Sequence, residues 1–429
     1  MPDAVLDALR AAAGPDVRPA GPADAVAGVQ PAYVAAPADT AETAALLRAA
    51  ADHELAVTVR GGGTRQDWAA APRRLDLVIS TARLTGVVEH AAGDLIAVVR
   101  AGTPMTELAD ALGRAGQRLA LDPPDPDNPG ATIGGTVALN SSGPLRVLYG
   151  TVRDLLIGVT MVRADGVVAH AGGKVVKNVA GYDLGKLLTG SYGTLGLITE
   201  CAFRLHPVPA TAGWVSRRVD TPAAAGRLVA GVLGGQLVPA AIEVDAPPGG
   251  DIEVAVLLEG TELGVQRRTA AAAGLLGGDA AAERRAPRWW GRHPWPPGGV
   301  GLKLTAALSG VPELLAAARA AGDRHGLPVT LRGSAGAGVL YAGLPAPAAD
   351  PAGPNRPGDY PTVVGEIVDE LRGAAREAGG HAVVLTAPAE VRDRIDLWGP
   401  VPGLALMRRV KEQFDPAARL APGRFVGGI

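Results

Sequence analysis

Three glycine-rich clusters hold the residues of this chain whose types and spacing can most readily do chemistry. Gly61-Gly62-Gly63-Thr64 follows the strand-like stretch Leu55 to Arg60. Three successive residues without Cβ atoms can bend the chain sharply and turn their backbone N–H groups toward one point. That makes a nest for a pyrophosphate, to which Thr64 adds a hydroxyl donor. With 59 glycines in 429 residues, one such triplet is also expected about once from composition alone. The second cluster runs from Ala131 to Gly143 (ATIGGTVALNSSG). Its small side chains would admit a large planar ligand to the backbone, and Asn140 and Ser141 offer amide and hydroxyl groups to ring or ribose atoms. A tight turn with a surface loop would use the same residues. The third, Gly190 to Gly196 (GSYGTLG), leads into a strand and would serve equally as a loop-to-strand turn.

Other groups have two readings each. Lys174 and Lys177 could place positive charge beside a bound anion or form a solvated strand face. Tyr182 and Asp183 could relay a proton or make a structural hydrogen bond. Trp289, Trp290 and Trp295 are three of the six tryptophans, crowded into an apolar wall, a docking patch or a loop anchor. His381 reads as a strand-edge residue and His293 as a loop residue. Arg408, Arg409 and Lys411 read as a solvated helix face.

Rival chemistries are excluded. No G-x-G-x-x-G opens a helix early in the chain, and Gly172-Gly173-Lys174 lacks both the earlier glycine and the following Ser or Thr of a P-loop. A net charge of −2 argues against nucleic acid. The seven histidines are scattered and Cys201 is the only cysteine, so no metal site and no disulfide is expected. The N-terminus lacks a signal-peptide pattern, and no apolar stretch is long enough to span a membrane, which places the chain in the cytoplasm with any membrane association made through partners.

The elements that must position these groups follow from periodicity and capping. A helix is expected over 40–53, with Thr40 as N-cap, and strands over 55–60, 75–79, 86–89 and 95–101. A helix from Thr103 to Leu112 has Pro104 at its first position. The segment 122–129 is a rigid Pro-rich loop. A hairpin over 152–163 and 167–171 turns at Asp165-Gly166, and a strand covers 195–205. Beyond Pro207 and Pro209 the pattern is α+β. Strands are expected over 252–258, 339–343 and 381–385, and helices over 311–321, 363–378 and 404–414. A Pro- and Ala-rich loop covers 345–357.

The glycine clusters, taken in order with Tyr149-Gly150-Thr151-Val152-Arg153-Asp154, resemble the FAD-binding domain of the vanillyl-alcohol-oxidase superfamily over residues 30 to 207. Gly173 to Leu184 (GKVVKNVAGYDL), Lys411 to Pro416 and Pro422-Gly423-Arg424 are similar to segments of an FAD-binding subunit of bacterial glycolate oxidase. The resemblance implies an α+β fold. A two-subdomain, p-cresol-methylhydroxylase-type (PCMH-type) FAD-binding domain would occupy 1–209, split near 86. An α+β substrate or cap domain would occupy 210–395, and a C-terminal segment, 396–429, would return to the first domain. It implies that Arg60, Gly61, Gly62, Gly63 and Thr64 hold the pyrophosphate region. Thr132, Ile133, Gly134, Gly135, Asn140, Gly143 and Gly150 would line the adenosine and ring portions, with Gly196 and Ile198 on the adenine side. Covalent relatives carry a histidine near the first glycine loop where this chain has Thr64, so FAD is expected to be non-covalent. Tyr192 and Ala421 also depart from the family's usual residues, and the paired histidines of metal-dependent 2-hydroxyacid dehydrogenases have no counterpart.

Those features imply a subunit of a glycolate-oxidase-like complex. It would take a small 2-hydroxyacid substrate, with a homologous flavoprotein subunit and an iron–sulfur subunit as partners. A stand-alone FAD-dependent oxidase and a structural subunit with a degenerate flavin site are the alternatives. The catalytic base is not identifiable from the sequence.

Overall fold

The computed structural model describes residues 4–125, 130–174, 182–347 and 359–429. The expected segment Val175 to Gly181, with Lys177, lies outside these, as do residues 126–129 of the Pro-rich loop and 348–358 of the Pro- and Ala-rich one.

Three large sheets and a two-stranded one, Gln117–Arg118 with His206–Pro207, organise the described residues. The first has the strand order Val17–Pro19, Tyr33–Ala35, Leu77–Ser80, Val57–Arg60, and its last three strands are parallel. The helix Thr40–Asp52 makes the crossover that parallel pairing requires. Its N-cap is Asp39, not Thr40: Asp39 accepts from the Glu42 N–H at 2.8 Å while the Glu42 carboxylate accepts from Ala38 N at 2.7 Å. Asp wins the cap because its carboxylate reaches the unpaired first-turn donors with full charge.

The second sheet is antiparallel, in the order Val87–Ala91, Ile96–Arg100, Leu197–Arg204, Leu156–Val162, Val168–Gly172. Three expectations change here. Val152–Leu155 is a short helix leading into the strand rather than part of it, started by the Thr151 and Asp154 capping pair. The second glycine cluster is a helix, Ile133–Leu139, which Thr132 caps and Asn140 ends at φ +49°. The helix Met105–Gly113 takes Pro104 as its N-cap rather than its first residue.

The third sheet has eight antiparallel strands, in the order Ala281–Glu283, Thr211–Val219, Ile252–Gly260, Ala241–Ala246, Thr330–Ser334, Val339–Leu344, Val300–Thr305, Ala382–Thr386. The helices Pro222–Gly234, Glu262–Leu276, Val311–His325 and Tyr360–Glu377 share one core with a single face of it. Ile242, Val244, Leu302, Leu304, Leu340 and Ala342 point into that core. Strand alternation therefore sends Glu243, Lys303 and Tyr341 to the opposite face.

After the helix Leu404–Phe414 the chain returns to the first sheet. Val57 N donates to Arg419 O at 2.8 Å, and Ala421 N donates to Val57 O at 2.7 Å. Lys411 is not solvated. It is 6% exposed, and its Nζ donates to Asp415 Oδ2 (2.6 Å), Thr194 O (2.8 Å) and Leu420 O (2.9 Å).

Candidate active site

A cleft of about 870 Å³ opens where the first two sheets meet, and the three glycine clusters converge on it. Gly61, Gly62, Gly63 and Thr64 leave the end of the strand Val57–Arg60 as one wall. A Cβ on Gly62 would overlap the Gly130 carbonyl oxygen, one on Gly61 would overlap the Thr132 hydroxyl, and Gly63 sits at φ +75°. The loop can therefore take this path only without side chains. Among the described residues, nothing accepts from the backbone N–H groups of Gly62, Gly63 or Thr64.

Thr132, Gly134, Gly135, Gly196 and Ile198 complete the expected part of the lining. Five expected residues stand behind it instead. The Arg60 guanidinium pairs with Asp24 at 3.0 Å. Ile133 is buried in the core beneath the second sheet. Asn140 caps its helix with a buried Oδ1 that lacks a partner. Gly143 packs on the Asp122 carbonyl, and Gly150 packs on Asp154.

The cleft is rich in buried polar atoms without protein partners. Thr58 Oγ1, Thr81 Oγ1, Thr136 Oγ1 and Arg424 Nη1 line it and make no hydrogen bond among the described residues. Arg424 is fixed by its other nitrogen, which donates to Gln66 O (2.8 Å) and Trp68 O (2.7 Å), and burial lowers its pKa to about 10. Buried groups of this kind are costly unless a ligand satisfies them. An extended polyanionic molecule with a planar end fits such a cradle: free amides and an arginine for phosphates, hydroxyls for ribityl or ribose oxygens, and glycine walls for rings.

A second cavity of about 1220 Å³ adjoins the first and shares Thr64, Arg65 and Ala131 with it. Arg65 donates to Pro124 O at 2.8 Å and lies over the Trp68 ring at 4.9 Å. Burial lowers its pKa, while Asp125, Tyr341 and Tyr192 oppose the shift. Asp122 also lines this cavity. Burial pushes its carboxyl up to about 7, against the Leu145 N–H, which donates to both oxygens at 3.2 Å, and the nearby Arg146 charge.

The polar face of the third sheet lies beyond. Lys303 and Tyr341 are register partners, and Arg146 donates to the Tyr341 hydroxyl at 3.3 Å. Burial would raise the Tyr341 pKa, but Arg146 and Lys303 outweigh it and the net shift is downward. Burial pushes Glu243 up to about 8. The sheet is tied to the cavity by Arg118 and Tyr149, which both donate to the Glu259 carboxylate, at 2.9 and 2.8 Å.

His293 occupies a loop, but its ring is buried. Nδ1 is 2.5 Å from Asp125 Oδ2, and the ring stacks on Trp295 at 4.2 Å and meets Tyr341 edge-on at 5.0 Å. Trp289 and Trp290 pack against each other, and Trp290 meets Trp214 at 6.3 Å. Lys174 pairs with Glu89, and Tyr182 is 94% exposed. Among the described residues no cluster could hold a metal ion, and no helix is long and apolar enough to cross a membrane.

Two family models match the chain. Residues 31–172 match the FAD binding domain, and residues 302–425 match the C-terminal domain of FAD linked oxidases. The chain thus carries matches to two FAD-linked domains. FAD is its cofactor, and the flavoprotein resembles glycolate oxidase subunit GlcD of Bacillus subtilis at 33% identity over 219 residues, 51% of this chain and 46% of that one. It resembles glycolate oxidase subunit GlcE of Escherichia coli at 42% identity over 124 residues, 29% of this chain and 35% of that one. The flavoprotein thus spans less than half the length of these relatives. The solved structure of p-cresol methylhydroxylase with substrate bound superposes with a TM-score of 0.75 at 15% identity, covering 98% of this chain and 96% of that one. The flavoprotein therefore has the α+β, PCMH-type fold.

Several polar residues at or beyond the second cavity escape a reading of the sequence. Glu243, Lys303 and Tyr341 carry a usable signal, since each stands between two apolar residues of its strand (Ile242-Glu243-Val244, Leu302-Lys303-Leu304, Leu340-Tyr341-Ala342). Asp122 carries none, because its raised pKa comes from burial by segments distant in sequence.

Proposed function

We propose that this flavoprotein binds FAD non-covalently and oxidises a 2-hydroxyacid, as one subunit of a glycolate-oxidase-like assembly. The reading is carried by one observation: the unsatisfied polar cradle adjoins a second cavity that holds both a half-buried arginine and a carboxyl shifted into the neutral range. In this reading residues 1–209 hold the cofactor, 210–395 cover it and 396–429 close the first domain.

Gly61, Gly62, Gly63 and Thr64 bind the pyrophosphate through backbone N–H groups, assisted by Arg424. Thr58, Thr81, Thr132 and Thr136 supply hydroxyls, and Gly134, Gly135, Gly196 and Ile198 admit the rings. Arg60, Ile133, Asn140, Gly143 and Gly150 set the path of the loops from behind. No histidine or cysteine of the described residues lines the cleft, which supports non-covalent attachment. Bound FAD supplies a two-electron acceptor. Arg65 orients the substrate carboxylate by a charge-assisted bond. Asp122 accepts the hydroxyl proton, its pKa near neutrality suiting it to gain and release that proton at working pH. Tyr341, held by Arg146 and Lys303, fixes the polar wall around the reacting carbon. Both glycolate oxidase relatives are named as subunits, which supports a multi-subunit assembly; in this reading a homologous flavoprotein and an iron–sulfur subunit form the onward electron route.

Purification followed by visible spectroscopy tests this. A flavin spectrum that bleaches anaerobically with a 2-hydroxyacid is the expected result. Bleaching only after partner subunits are added would make the assembly obligatory. A folded, colourless chain that refuses FAD would overturn the proposal.

A further inference from the structure

The second cavity carries more than a small acid needs. Beyond the junction at Thr64, Arg65 and Ala131 its walls are mainly apolar, among them Met105, Leu108, Leu119, Leu121, Pro123 and Val208, and they also carry Gln117, Arg118, Asp122 and Asp125. It runs from that junction to the surface, where Thr106, Ala109 and Gly113 of the helix Met105–Gly113 are exposed and Val208 is 48% exposed. At its inner end Arg65 has no ion-pair partner among the described residues. The nearest candidate, Asp125, is already engaged by His293 at 2.5 Å.

A half-buried cation at the inner end of a mainly apolar, surface-open cavity selects an amphiphile with an anionic head. From this geometry we infer that the substrate is a 2-hydroxyacid bearing an extended apolar chain, seated with its carboxylate at Arg65 and its chain among Leu108, Leu119 and Leu121. This rests on the functional reading above and specifies its substrate class. Glycolate or lactate would fill only the inner end of the cavity, whereas each methylene of a longer chain would be removed from water along its apolar walls.

The test uses the purified holoprotein and calorimetric titration with straight-chain carboxylates from acetate to octanoate, which lack the hydroxyl and do not turn over. Affinity should rise about threefold per added methylene, the increment expected of partial methylene burial. The exposed Ala109 at the mouth gives a variant that does not disturb the core. In Ala109→Trp the ratio of octanoate to acetate affinity should collapse toward unity. A second variant, Thr106→Trp, should do the same. Affinity independent of chain length, or a gain that survives both variants, overturns this inference while leaving the flavin reading standing. A folded chain without flavin overturns both.

Discussion

Arg65 and Pro124 are joined by a hydrogen bond of 2.8 Å from the guanidinium to the carbonyl, which ties the cofactor loop to the loop that carries Asp122. The bond fixes Arg65 without neutralising it. Arg65→Met should therefore leave flavin content unchanged and raise KM for the acid by about 10- to 100-fold, the worth of a hydrogen bond to a charged group. Steady-state kinetics at matched flavin occupancy checks this.

Asp122 sets the expected pH dependence. Its carboxyl is pushed up to about 7, and only the ionised form accepts a proton, so kcat/KM should rise as pH increases through about 7 and then level. Asp122→Asn should lower kcat by about 10²- to 10⁴-fold and remove that limb of the profile. A limb that persists in the variant would assign the proton to another group.

Legibility in the sequence followed the range of the forces involved. Leu404–Phe414 has the bounds its periodicity gave, because an amphipathic stripe and its terminators are local. The glycine clusters were found as a set because each must bend or narrow the backbone at its own position. Thr211–Val219, Ala241–Ala246, Val300–Thr305 and Thr330–Ser334 were missed, since runs rich in Ala, Gly and Val carry little period-two contrast. His293 lies in a loop as its sequence suggests, but its burial is not legible there: its aromatic neighbours Trp68 and Tyr341 are far away in sequence, and only folding buries it among them.

Gly62 tests the cradle. A Cβ there would meet the Gly130 carbonyl, whereas at Gly93 it would meet nothing within 4 Å. Gly62→Ala should give protein with little or no bound flavin by absorbance ratio, and Gly93→Ala should match the parent.

Glu243 is 4% exposed, and burial moves its pKa from an ordinary 4.5 to about 8. The folded state thus holds a proton that the unfolded state releases between those two values. The sign follows from linkage: stability falls as pH rises from about 4.5 to about 8. Glu243→Gln, neutral throughout, should flatten this decline in thermal melts across the same range and raise Tm at pH 8.

Lys411 closes the fold around the cofactor cleft. One ammonium bonds Asp415, Leu420 O beside the first sheet, and Thr194 O next to the lining residue Gly193. Lys411→Met would strand the Asp415 carboxylate, which is fully buried, with only the backbone N–H groups of Arg419 and Leu420 as donors. Removing one partner of such a pair costs about 3–5 kcal/mol, which chemical denaturation should register as a lowered midpoint. The double variant Lys411→Met with Asp415→Leu eliminates the abandoned charge and should recover part of that loss. Because Thr194 loses its anchor in both, flavin should dissociate faster from the single and the double variant alike, and a release rate restored along with stability would show that Lys411 does not position the cleft.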